Sequence, residues 1–300
     1  MKVMRYSTVL AILLGVSTFS CGPGRPAHVA PDAALLRLVP ADTILLAGAR
    51  PAEIRKSKLY ERYGSSGQVA KWKGLPGGIA KDSLEDVREM LVSYNGADAL
   101  VLSRGKFTEN SLAKEGAGRS TYKGHTLIGD DSGAVVLLDD TTAAAGSPAR
   151  LRALIDGTAS KGGPPTALLE IVKTIDSSNQ IWMAARGGWN GKVASGSRIL
   201  APIGRILRKV DSMKAGCKVS DGVLVEAQGE CATAEDAETL QSGLRAMIGF
   251  LRLGLSKKPE LRNLLDTITV SRREHLVEIH AEVPPELAGN LLFAPAAAGE

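Results

Sequence analysis

Histidine, cysteine and aromatic side chains are all scarce in this 300-residue chain, and each shortage removes a class of function. Four histidines and three cysteines leave little material for a metal centre. With aromatics at 4%, there is no stacked-ring platform for sugars or for single-stranded nucleic acid. No apolar run reaches the roughly 20 residues a membrane helix needs. A Gly-x-Ser-x-Gly elbow is absent. The glycines of Gly74-Leu75-Pro76-Gly77-Gly78 are interrupted by proline and followed by no Lys-Ser/Thr, so they make no phosphate loop. The net charge of +5, or +3 without Lys2 and Arg5, is carried by scattered lysines and arginines. No basic patch interleaved with rings emerges, and a nucleic-acid partner is not expected.

What the chain does have begins at its N-terminus. Lys2 and Arg5 precede the apolar run Val9–Val16, and small residues then lead to Cys21. This is the order of an export signal: basic start, short apolar core, small-residue cleavage zone. Thr18 and Ser20 suit an ordinary signal peptidase, which would give a secreted soluble chain. The segment Thr18-Phe19-Ser20-Cys21 also resembles a bacterial lipoprotein signal, with Thr18 where leucine is commonest. That resemblance implies a lipid on Cys21 as the first mature residue, and it is the preferred reading. Residues 22–31 hold three prolines and two glycines and read as a tether.

Beyond the tether, helix and strand signals are mixed rather than regularly alternating. Strands are expected at Thr43–Ala49, Ala97–Ser103, Gln180–Ala185, Ser212–Val219 and Val223–Gln228. Lys123-Gly124 and Asp131-Ser132-Gly133 punctuate an antiparallel meander of four short strands between Ser120 and Ala145. Apolar spacing at Leu84, Val87, Met90 and Leu91 behind Ser83 predicts a helix over 84–93. Further helices are expected over 51–63, 108–114, 148–155, 166–175 and 199–210. Thr233 with Asp236 opens a long one. A short helix over 259–265, a hairpin around Arg272-Arg273-Glu274 and a helix from Pro284-Pro285 to Leu292 complete the body.

Both halves read strand, helix, strand pair, helix, strand. The expected fold is therefore α+β, with antiparallel sheets and helices packed on one face of each. It is organised as two similar units from an internal duplication. The expected boundaries are signal 1–20, tether 21–31, first unit 32–176, second unit 177–293 and a loose tail 294–300. Val39-Pro40-Ala41-Asp42-Thr43, Ala143-Ala144-Ala145-Gly146-Ser147 and Glu282-Val283-Pro284-Pro285-Glu286-Leu287 resemble segments of uncharacterised secreted bacterial families, described only as domains of unknown function. The resemblance implies an extracytoplasmic α+β protein and brings no catalytic residues.

Chemistry is thinly signposted. Asp130-Asp131 and Asp139-Asp140 bracket a hairpin and are expected near one edge, with His125 close by. They are the material for an alternative reading as an exported hydrolase or metal-dependent enzyme, although the calcium-loop spacing is missing. His275 and His280, five apart on a strand, point to opposite faces and cannot share a metal. Glu278 shares a face with His280 but makes only a fragment of a site. The Asp221-Gly222 turn places Cys217 near Glu226 and leaves Cys231 about 16 Å out of register, so two separate buried thiols are the preferred reading and a bridge would need a bulge or a different turn. Trp189, set between glycines, reads as a contact point or a ring folded onto the sheet edge. The reading preferred from sequence is an exported cell-envelope (periplasmic) protein with a binding or structural role, without a cofactor. Its partners are the membrane, through a lipid on Cys21, and an envelope protein.

Overall fold

The computed structural model describes residues 28–64, 86–112, 116–158, 163–187, 209–255 and 259–293. The expected signal, Cys21 and the tether up to Ala27 lie outside them, as do Ser83, Trp189, the start of the helix expected from Ile199 and the tail. Twelve strands are described: β1 (Leu45–Ala49), β2 (Glu89–Tyr94), β3 (Ala99–Arg104), β4 (Arg119–Tyr122), β5 (His125–Asp130), β6 (Gly133–Asp139), β7 (Thr142–Gly146), β8 (Ile181–Arg186), β9 (Val210–Val219), β10 (Val223–Cys231), β11 (Ile268–Arg273) and β12 (Leu276–Val283). The described helices are α1 (Ala33–Leu36), α2 (Pro51–Ile54), α3 (Lys58–Tyr63), α4 (Glu109–Leu112), α5 (Pro148–Ile155), α6 (Thr166–Val172), α7 (Ala234–Gly254), α8 (Pro259–Asp266) and α9 (Pro285–Phe293).

The protein is α+β, as its sequence leads one to expect, but the two expected sheets are one. All twelve strands pair antiparallel in the order β11-β12-β10-β9-β8-β1-β2-β3-β7-β6-β5-β4. The strands of residues 32–176 fill one end of the sheet and those of 177–293 the other, meeting at the β1–β8 pair. Each half runs outward from that seam as a three-stranded meander. A helical connection follows, and the last strand returns beside the third: β7 next to β3, and β12 next to β10.

Helices lie on both faces of the sheet. Leu91, Leu100, Leu102, Val136 and Ala144 pack with α1, α5 and α6 through Leu35, Leu151, Leu154, Leu168 and Val172. The alternate residues Val101, Val135, Ala143 and Ala145 pack on the other side with Val87, Phe107 and Leu112. In the second half the helical cover moves to that other side. There Val210, Cys231, Val270 and Val277 pack under α7 and α8, while Val219 and Val283 meet Leu59 of α3 and Ala288 of α9. Among the described residues, the face that α1, α5 and α6 cover in the first half has no helix over β10–β12.

Local signals account for many element ends. Lys123 and Gly124 take φ of 47° and 83°, the left-handed pair that joins β4 to β5 in a tight turn. Ser147 accepts the Arg150 N–H at 3.4 Å and Pro148 fills the first turn of α5. Thr233 caps α7, its hydroxyl accepting the Asp236 N–H at 3.1 Å and donating to the Asp236 carboxylate at 2.9 Å. Thr233→Ala is expected to lower stability by about 1 kcal/mol, read as a lower urea midpoint with an unchanged slope.

The helix expected over 84–93 is a correction: 89–94 form β2. Its apolar residues satisfy helical spacing, yet Leu91 and Met90 also alternate between the two cores. Backbone pairing with β1 on one side and β3 on the other decides for the strand. Val210, expected to end a helix, begins β9. The helix expected over 51–63 is two, α2 and α3, broken before Ser57, which caps the second by accepting the Tyr60 N–H.

Candidate functional site

The aspartates singled out by the sequence do not come together. Asp130 ends β5 and Asp139 ends the seven-residue β6, so they stand at opposite ends of one hairpin. At about 3.4 Å per residue the separation is roughly 20 Å. Each carboxylate folds back on its own turn. Asp130 accepts the Ser132 N–H at 2.8 Å and hydroxyl at 2.5 Å, which holds its pKa below the ordinary value. Asp139 accepts the Thr141 N–H at 2.8 Å and hydroxyl at 2.7 Å. Asp131 and Asp140 are exposed, and His125 turns to the Leu137 carbonyl 3.3 Å away. The expectation of one acidic edge is thus corrected. Successive turns of a meander fall at opposite ends of its strands, and these are turn-stabilising aspartates.

The histidines are placed apart, but the expectation of opposite faces is corrected: His275 lies in the turn before β12, and each histidine stands beside a glutamate of the same β10 face. His275, in the β11–β12 turn, has Nε2 at 3.7 Å from Glu230 Oε1, and His280 has Nδ1 at 3.7 Å from Glu226 Oε1. Glu278 is engaged by Arg273 at 2.6 Å and by the Gln228 amide at 2.9 Å. Among the described residues no three His, Cys, Asp or Glu side chains gather to hold an ion. Cys217 lies opposite Val225 and Cys231 opposite Val210, some six residues of β10 apart, and both thiols are free. That is about 20 Å along a strand, so no bridge forms. Burial pushes both thiols up, away from the reactive thiolate.

One carboxylate is placed against its charge. Burial raises the pKa of Glu89, at the start of β2, and the Asp32 N–H that donates to its Oε1 at 3.0 Å only partly offsets this. A raised folded-state pKa favours the protonated form, so its stabilisation is present in acid and is lost as pH rises through that pKa. Glu89→Gln keeps an acceptor for Asp32. It is expected to raise the melting temperature at pH 7, with the gap to wild type closing as pH is lowered toward 4.

A concave surface lies in the second half, on the face where no described helix covers β10–β12. By register, Lys214 and Gly216 of β9, Glu226, Gln228 and Glu230 of β10, and Glu278 and His280 of β12 share that face. Helix α6 and the residues after it form a wall along one side. Two adjoining clefts result, of about 350 and 520 Å³, and Thr174, Lys214 and Gln228 line both. Sequence reading passed this surface over, although its signal was present. Polar residues recur at every second position of β9, β10 and β12, the alternation of a sheet with one wet face.

The chain entering this body is tied down beside the clefts. The Val29 N–H donates to the Ile175 carbonyl at 2.8 Å, and His28 bridges to Asp176. Ile175 and Asp176 line the smaller cleft. Residues 28–31, read as part of a tether, are therefore packed against the domain in their first two members.

The fold defines an α+β protein built on one long antiparallel sheet. No protein-family model and no curated protein matches the chain. Among solved structures, it is similar to crystal form III of TP0453 at a TM-score of 0.50 and 9% identity, covering 87% of this chain and 98% of that one. Crystal form I of the same protein aligns at a TM-score of 0.49 and 9% identity, over 89% of this chain and 97% of that one. At such identity the likeness to form III concerns the fold alone. Among the described residues no helix is long and apolar enough to cross a membrane.

Proposed function

We propose that this chain is an exported cell-envelope protein, held at a membrane by a lipid on Cys21, whose body binds a partner and carries out no catalysis. The observation that carries the binding role is the polar face of β9, β10 and β12, which no described helix covers over β10–β12. It is concave and walled by α6. The recurrence of the meander on both sides of the β1–β8 seam supports an internal duplication as the origin of the two halves.

Two features support the membrane address. The signal ending at Cys21 supplies the modifiable thiol. Six residues separate Cys21 from His28, so at about 3.5 Å per step an anchor on Cys21 keeps His28, which pairs beside the smaller cleft, within roughly 25 Å of the membrane surface. The separation of Asp130 from Asp139 removes the common point that the hydrolase or metal-enzyme reading needs. The test is extraction. The protein is expected to sediment with membranes and to be released by detergent but not by high salt or alkaline carbonate. Recovery in the soluble fraction contradicts the anchor.

A further inference from the structure

Two cations line the larger cleft, and among the described residues neither is ion-paired with a carboxylate. Arg186 lies opposite Ser212, and Lys214 lies opposite Ala184 one pleat further on, so the two cations are diagonal neighbours on one face. Lys214 Nζ donates to the Thr174 hydroxyl at 3.0 Å and approaches the Thr174 carbonyl at 3.4 Å, both neutral acceptors. Among the described residues neither cation has a carboxylate within ion-pairing distance.

Most of the carboxylates around them are otherwise engaged. Glu170 pairs with Lys173 at 2.7 Å, and Glu230 accepts the Ser212 hydroxyl at 2.9 Å with His275 beside it. Glu278 is taken by Arg273 and Gln228, and Glu226 faces His280. Asp211 also lines this cleft, and its charge helps to raise the Cys231 thiol. Arg186 is exposed, and burial lowers the pKa of the half-buried Lys214. An unpaired charge taken partly out of water costs free energy that an arriving counter-charge recovers.

We propose that Arg186 and Lys214 form a binding site for the oxyanion group, carboxylate or phosphate, of a small ligand seated in this cleft. Guanidinium supplies a planar fork of N–H donors for two oxygens, and the ammonium adds a point charge at the other side. A volume of about 520 Å³ falls within the range of small-molecule sites. The site deepens the binding role proposed above and does not depend on the lipid.

The test is isothermal titration of the full chain, purified in detergent, with inorganic phosphate and with citrate at constant ionic strength. The Cys21→Ala protein is titrated in parallel. Saturable binding of at least one probe is expected, equal in both proteins and weakened at least ten-fold in Arg186→Gln and in Lys214→Met. A response to phosphate alone assigns a phosphate group, and a response to citrate alone assigns a carboxylate. Lys214→Met is also expected to melt no lower than wild type without ligand, which shows that its loss of binding is not loss of fold. No binding of either probe at millimolar concentration overturns the site and leaves the anchor untouched. Undiminished binding in both variants overturns it as well.

Discussion

Trp182→Ala is expected to cost about 3–5 kcal/mol of stability, the largest effect of any single truncation proposed for this body. Trp182 is 2% exposed and sits in β8, where the two halves of the sheet meet. Its ring lies over Gly48 of β1, directly opposite, so closely that a Cβ at Gly48 would fall 2.3 Å from the indole. The missing side chain at Gly48 and the large ring at Trp182 are one packing unit. Truncating the ring leaves a void across the joint that the strands, paired on both sides, cannot close. The seam is reinforced by Arg50, whose guanidinium donates to the carbonyls of Ser177 and Asn179, the latter at 2.7 Å. Urea unfolding checks the expectation. The midpoint should fall sharply, whereas a loss below about 1 kcal/mol would mean that the seam is not held by this ring.

Cys21→Ala is expected to move the protein from the membrane pellet to the soluble fraction. Each buried methylene of an acyl chain contributes about 0.8 kcal/mol, so two or more chains on one residue make attachment stable against washing. Removing their point of attachment should change the partition ratio by at least on the order of 100-fold. The variant should keep its melting temperature, because the substituted residue lies seven positions before His28, the first described residue that pairs with the body. A variant still in the pellet after alkaline carbonate would show that something other than Cys21 holds the chain there.

The legible parts of the fold are those whose instructions are local. Lys123-Gly124 and Asp131-Ser132-Gly133 demand turns, and the β4–β7 meander follows from them. Thr233 with Asp236 announces α7 from within one helical turn. β2 was obscured because Val87, Met90 and Leu91 satisfy helical spacing, while the pairing that makes it a strand is supplied by β1 and β3. The single sheet was illegible for the same reason. It depends on β1 meeting β8, a contact between residues more than 130 positions apart.

The sites divide along the same line. Paired aspartates drew notice because they are adjacent in sequence, and the meander then sent them to opposite ends of β6. Arg186 and Lys214 drew none, being ordinary cations on two strands. Only the register that sets Arg186 against Ser212 brings them onto one face of one cleft.

The central claim is that a membrane-anchored body presents this cleft close to a lipid surface, and its most direct test is the intact mass of the native N-terminus. The account predicts a mature chain that begins at Cys21 and is heavier than its polypeptide by a diacylglycerol or larger acyl modification. An unmodified mature chain, or one that begins at another residue, would contradict it.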